Sequence, residues 1–135
     1  MHNKKLGNDF ESELCDILSN NGFWCHNMAS KKSGQPADVI AVKNKRAYLI
    51  DAKVCSNDEF PLSRIEENQW LAMDLWKECG NGLGYFALKL DKFDPRIYMI
   101  SNYLMQVYKE RQNTLPAKTI KEIGTPIDEW VERCK

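Results

Sequence analysis

The sequence predicts an α/β protein in which a central mixed sheet is flanked by helices. Apolar residues recur at helical spacing in two separate segments, near the N-terminus and over residues 65–79. Short β-rich runs lie between and after these segments. Gly, Asn and Pro clusters mark the changes of period. The resulting order is α-β-β-β-α-β-β-α-α. At 135 residues the chain is expected to form one domain, 1–135, with a core over about 4–100 and a C-terminal helical extension over about 101–135.

The first helix is expected from about Lys4 to Ser19. Leu6, Phe10, Leu14, Ile17 and Leu18 form its apolar face, and Asn20-Asn21-Gly22 ends it. Glu11 and Glu13 both flank that face, and periodicity does not choose between them as a group aimed inward. Phe23 to Met28 reads as an aromatic-rich strand, and residues 29–36 as a polar loop. A hairpin follows. Asp38, Ile40 and Val42 share a face of its first strand, Asn44-Lys45-Arg46 turns it, and Ala47, Leu49, Asp51 and Lys53 share a face of its second.

Ser56 to Leu62 reads as a loop. Ser63-Arg64-Ile65-Glu66 has the form of a capping box and is expected to open a second helix running to about Cys79. Its buried stripe is expected to be Ile65, Ala72, Met73, Trp76 and Cys79, with Gln69 in the middle. Gln69 is either a satisfied core amide or a group turned into a polar site. Gly84 to Leu90 and Arg96 to Ile100 read as paired strands, and Ser101 as the cap of a third helix to about Arg111. Residues 112–124 read as irregular or extended. Thr125-Pro126-Ile127-Asp128-Glu129 is a helix start, with Thr as N-cap and Pro in the first position.

Composition narrows the function classes. No apolar run approaches the ~18 residues that span a membrane, and the N-terminus lacks the apolar core of a secretory signal. A cytoplasmic protein is therefore expected. The five cysteines, Cys15, Cys25, Cys55, Cys79 and Cys134, are odd in number and form no C-x-x-C, so reduced thiols are expected rather than a disulfide framework or a structural zinc site. The net charge is zero, which is unusual for a nucleic-acid binder. Basic residues nevertheless cluster in the first third, at Lys4-Lys5, Lys31-Lys32 and Lys43/Lys45/Arg46.

The hairpin carries the chemistry. Asp51 and Lys53 point the same way, about 7 Å apart along the strand, on a face that begins apolar. A charge on such a face costs several kcal/mol unless paired or metal-bound. An ion pair at a water-exposed strand end would account for Asp51 and Lys53 alone, but Asp38 at the start of the neighbouring strand adds a second carboxylate. Two carboxylates can hold a divalent cation such as Mg²⁺, and a lysine beside them can position or deprotonate an attacking water. These are the parts that phosphodiester hydrolysis needs.

The spacing Asp38-x(12)-Asp51-x-Lys53 resembles the PD-(D/E)xK nuclease superfamily. That resemblance implies a restriction-endonuclease-like αβββαβ core, with Asp38 as the first acid, Asp51 as the second and Lys53 as the lysine. Gly7-Asn8-Asp9-Phe10-Glu11 resembles the G-x-x-x-E opening of Holliday junction resolvases and implies Glu11 as a helix-borne acid. Met28-Ala29-Ser30 lies where archaeal resolvases of the Hjc type carry a serine near the scissile phosphate. Phe60-Pro61-Leu62-Ser63-Arg64-Ile65 with Gln69 resembles the bacterial RecU resolvases, and VRR-NUC proteins also turn a glutamine at this place towards the site. The resemblance covers about residues 4–90. Ala37 separates Pro36 from Asp38, and the second acid is Asp where resolvases usually have Glu. The short chain is also compatible with a phage-encoded protein.

The resemblance implies a Mg²⁺-dependent DNA endonuclease, with Mn²⁺ as a substitute, acting on Holliday junctions or other branched DNA as a homodimer. Glu11, Asp38 and Asp51 would hold the metal, Lys53 would handle the water, and Gln69 and Ser30 would support them. Lys4, Lys5, Lys31, Lys32, Lys45, Arg46 and Arg64 are the expected DNA contacts. Two other readings share the fold: a VRR-NUC-like or restriction-type nuclease with flap, end or sequence preference, and a non-catalytic module that binds DNA or protein.

Overall fold

The computed structural model describes residues 2–28, 37–90 and 96–134, with side chains from Asp9 onward. Helix α1 spans His2–Asn20 and buries Phe10, Leu14 and Leu18. It stops where Gly22 turns left-handed (φ 87°), with Phe23 N–H donating to the Leu18 carbonyl. Strand β1 (Trp24–Asn27) then pairs antiparallel with β2 (Val39–Lys43), and β2 with β3 (Arg46–Val54). The β2–β3 turn consists of Asn44 and Lys45 alone, both at positive φ, which matches the right-handed twist of the strands it joins.

Residues 56–62, expected as a loop, hold a tight turn at Asn57 and Asp58, strand β4 (Glu59–Pro61) and the start of a 3-10 turn (Leu62–Arg64). The second helix, α2 (Glu67–Glu78), therefore begins later than the Ser63 cap predicts. Its capping box is Glu66 with Gln69, because the 3-10 turn uses up the residues after Ser63. Its buried side chains are Gln69, Trp70 and Met73. Cys79 is exposed and Ala72 and Trp76 are half-buried, so the apolar stripe is rotated towards Trp70 relative to the expected one. Strand β5 (Tyr85–Lys89) lies parallel to β3, and β6 (Ile97–Ser101) antiparallel to β5. Ser101 caps α3 (Asn102–Lys109) by accepting from Leu104 N–H.

The C-terminal residues are more ordered than their sequence suggests. Residues 112–124, expected as irregular, contain strand β7 (Thr114–Pro116), paired with β4, and helix α4 (Ala117–Ile123). Thr125 and Pro126 form strand β8 against β6 rather than a helix cap, and α5 runs from Ile127 to Arg133. Short segments of this kind gain their order from burial against other elements, which local periodicity does not encode. Leu115 and Ile120 are fully buried.

The main sheet has the order β1-β2-β3-β5-β6-β8. One face carries α1 and α5, packed on Val39, Ala41, Tyr48, Ile50, Ala52, Ala87 and Met99. The other carries α2, α3 and α4, packed on Leu49, Phe86, Leu88, Tyr98 and Ile100. Gly124 sits where α4 leaves this second core. A Cβ there would lie 2.7 Å from the Ile120 carbonyl oxygen and 2.9 Å from Tyr98 Cβ. Neither atom can move without shifting α4 or β6, so Gly124→Ala is expected to destabilise the fold by about 1–3 kcal/mol, read as a lowered thermal midpoint.

Candidate active site

The acids meet where β2 and β3 diverge. Asp38 lies one residue before β2. Its N–H donates to the Ile50 carbonyl at 3.1 Å, and its own carbonyl accepts from Met28 N–H at 2.7 Å. Its side chain takes the place of the next ladder acceptor: Oδ2 accepts the backbone N–H of Ala52 at 2.7 Å. A carboxylate in that gap is reached from both faces of the sheet. This is how a residue on α1 and a residue facing α2 come to share one site.

Asp51 faces α2 and is fully buried. Its Oδ1 accepts from Gln69 Nε2 at 3.1 Å, and its Oδ2 lies 3.2 Å from Lys53 Nζ. Phe86, its cross-strand neighbour on β5, supplies an apolar wall. Gln69 makes two connections at once. Its Oε1 accepts Glu66 N–H at 2.9 Å, closing the capping box of α2, while its Nε2 holds Asp51. The helix cap thus fixes the amide's orientation, and the amide fixes the carboxylate.

Glu11 and Glu13 leave α1 in different directions. Glu13 accepts from Lys89 Nζ at 2.6 Å, an ion pair at the end of β5. Glu11 feels the charges of Asp38 and Lys53, and its Oε1 is buried with no hydrogen-bond partner among the described residues.

The electrostatics are those of crowded acids. Burial, then the negative charge of Asp38, pushes the Glu11 carboxyl up from 4.5 to about 7, with Lys53 opposing. Asp51 is raised well above the ordinary aspartate range, first by burial and then by Asp38, again opposed by Lys53. Among the described residues no group of three His, Cys, Asp or Glu side chains is drawn up as a complete metal-ligand set. The donors still suit a hard divalent cation. Asp51 Oδ2 also lacks a well-directed hydrogen bond, and Mg²⁺ characteristically takes one or two carboxylates and completes its shell with water and substrate phosphate.

A pH dependence follows. Below about pH 4.5 Glu11 is protonated in both folded and unfolded chains. Between 4.5 and 7 the unfolded chain releases this proton while the folded one keeps it, so stability falls as pH rises, and the loss is complete above about 7. Chelator-treated protein is therefore expected to show a site contribution that weakens from pH 5 to pH 8. Glu11→Gln should remove much of that slope, and added Mg²⁺ at pH 8 should restore stability by binding the folded state. Denaturant titrations at the two pH values check both.

The structure brings Glu11, Asp38, Asp51, Lys53 and Gln69 together. Ser30, Lys31 and Lys32 lie outside the described residues, and Lys4 and Lys5 lie on α1 with side chains outside the description. Arg64 stands near the site, but its guanidinium donates to the Val54 carbonyl at 2.7 Å and packs over Phe60. Arg46 opens β3, about 17 Å along the strand from Asp51, and Lys45 lies in the turn before it, so neither is drawn to the acids. The Ala52 amide, Glu66 and Phe86 were not singled out by sequence reasoning. Glu66 alone left a signal there, as the E of a capping box three residues before Gln69.

Residues 2–135 match the family described as archaeal Holliday junction resolvase (Hjc). Among solved structures, the chain is similar to Archaeoglobus fulgidus Hjc, a Holliday junction resolvase from an archaeal hyperthermophile. The TM-score is 0.69 at 18% identity, over 93% of this chain and 95% of that one. No curated protein sequence matches.

Proposed function

Since this chain belongs to the archaeal Holliday junction resolvase family, we propose that it is a single-domain, Mg²⁺-dependent endonuclease that cuts branched DNA as a homodimer. The observation that carries this is the Asp51 carboxylate, fully buried and gripped by Gln69 beside Lys53, with a second carboxylate at the adjoining strand gap. A structural ion pair has no use for that surplus of negative charge.

Glu11, Asp38 and Asp51 would hold the cation. When bound, Mg²⁺ lowers the pKa of a water and neutralises charge at the scissile phosphate. Gln69 fixes the rotamer of Asp51. The Ala52 amide fixes that of Asp38. Lys53, mostly buried with 15% of its side chain exposed, lies beside Asp51 and would orient the attacking water. Ser30 would support the phosphate, and Lys4, Lys5, Lys31 and Lys32 would follow the DNA backbone.

The dimer is supported by α2. Leu71 and Leu75, one turn apart, are 59% and 60% exposed, and Tyr103 of the adjacent α3 is 66% exposed. A two-fold axis through such a patch would present two sites to opposing strands of a junction. Among the described residues no helix is long and apolar enough to cross a membrane.

The test is cleavage of a four-way junction, with and without Mg²⁺. Paired nicks on opposing strands are expected, and chelator should abolish them. Equal cutting of linear duplex would overturn the junction preference. No metal-dependent cutting of any DNA would overturn the enzyme reading in favour of a binding module.

A further inference from the structure

Strand β1 is the edge of the sheet, and it carries an exposed aromatic pair. Trp24 is 62% exposed, and its ring lies parallel to that of exposed His26, with 6.1 Å between centroids and 13° between planes. The ladder fixes the face they occupy. His26 is the cross-strand partner of Ile40, and Ile40 of Leu49; Trp24 is the partner of Val42, and Val42 of Ala47. Leu49 is on the same face of β3 as Asp51 and Lys53. Trp24 and His26 therefore stand on the face that carries Asp51. Their neighbour Cys25 points the other way, against Cys15 of α1.

Along the strand, His26 is about 7 Å and Trp24 about 14 Å from the level of Asp38. That is a row of aromatic faces leading away from the candidate reaction centre by the length of a few nucleotides. A large, flat, half-solvated indole on an edge strand is an aggregation hazard for a protein with no use for it. A π-face presented beside a phosphodiesterase site has one natural ligand class, because every base stacks on an aromatic ring, and a base is free to do so only when unpaired.

We propose that Trp24, backed by His26, is a stacking platform for an unpaired nucleobase on the strand that enters the site, and that it selects DNA with splayed bases near the cut. This rests on the nuclease reading above. His26 is a positioning residue that holds the indole plane, and Trp24 is the residue in contact with the base.

The experiment couples Trp24→Ala to abasic positions. Junctions carrying a single abasic nucleotide, scanned across the first five positions from the cut, are titrated with wild-type protein, Trp24→Ala and Trp24→Phe. Stacking is worth about 1–3 kcal/mol per base, so Trp24→Ala is expected to lower the ratio of junction to linear-duplex affinity about 5- to 150-fold. Phenylalanine should recover most of it. At one position the abasic lesion should reproduce the loss in wild type and add nothing in Trp24→Ala. Additive effects at every position would overturn the platform. So would an equal loss on linear duplex, or a change of oligomeric state in Trp24→Ala, which would assign the indole to a second copy of the chain. Wild-type protein that cuts junctions while Trp24→Ala is unchanged removes the platform alone, whereas wild-type protein that binds no DNA removes the nuclease reading with it.

Discussion

Replacing Asp51 with asparagine is expected to abolish DNA cleavage and, without metal, to give a protein that melts at a higher temperature than wild type. The two effects share one cause. Asp51 is fully buried, and burial and the Asp38 charge together outweigh the attraction of Lys53, which is why its carboxyl is raised. Asparagine keeps an oxygen for Gln69 Nε2 and removes the charge. At pH 8 this relieves the desolvation and the repulsion, and a gain of about 1 kcal/mol would raise the midpoint by roughly 2–6 °C. On the proposed function the same change would also remove a ligand for the cation, whose charge stabilisation is worth several kcal/mol, so cleavage should fall roughly a thousandfold or more. Thermal melts in chelator and single-turnover cleavage in Mg²⁺ measure the two sides. A variant that melts lower and cuts normally would remove Asp51 from the site.

Phe86→Ala is expected to be the most destabilising single change near the site, at about 3–5 kcal/mol. Phe86 is fully buried on β5, with its ring 5.4 Å from that of Trp70 on α2, so its removal leaves a cavity between the sheet and the helix that carries Gln69. The midpoint should fall by roughly 10–20 °C. Phe86 is also the cross-strand neighbour of Asp51. A cavity with a carboxylate on its wall can take up water, so Asp51 should titrate at a lower pH in this variant than in wild type. Phe86→Leu keeps most of the volume and should cost less than about 1.5 kcal/mol. If the two variants melt alike, the packing argument fails.

Local rules carried the first helix and the hairpin of β2 and β3. The α1 face of Phe10, Leu14 and Leu18 and its stop at Gly22 follow from spacing and turn chemistry, as does a turn at Asn44 and Lys45, although Arg46, expected in that turn, is the first residue of β3. They failed where order depends on a distant partner. Residues 114–116 are a strand because β4 is there to pair with them, and residues 125–126 because β6 is. The Ser63 capping box was a correct pattern in the wrong place, since the 3-10 turn pre-empted it and Glu66 capped the helix instead.

By itself the sequence determined which side chains share a face: strand alternation puts Asp51 with Lys53, and the hairpin puts Asp38 beside them. Periodicity alone left open which glutamate of α1 and which reading of Gln69 applied, because a helix face has no meaning until its neighbour is known; only the resemblance to resolvases implied Glu11 and a Gln69 turned into the site. The tertiary structure decided both. Lys89 occupies Glu13, leaving Glu11 to Asp38, and Gln69 is at once the cap of α2 and the grip on Asp51. It also decided that Asp38 fills a gap in the β2–β3 ladder by accepting from Ala52, which opens the site to both faces of the sheet. Periodicity is a property of one element, whereas a site is made by the register between several.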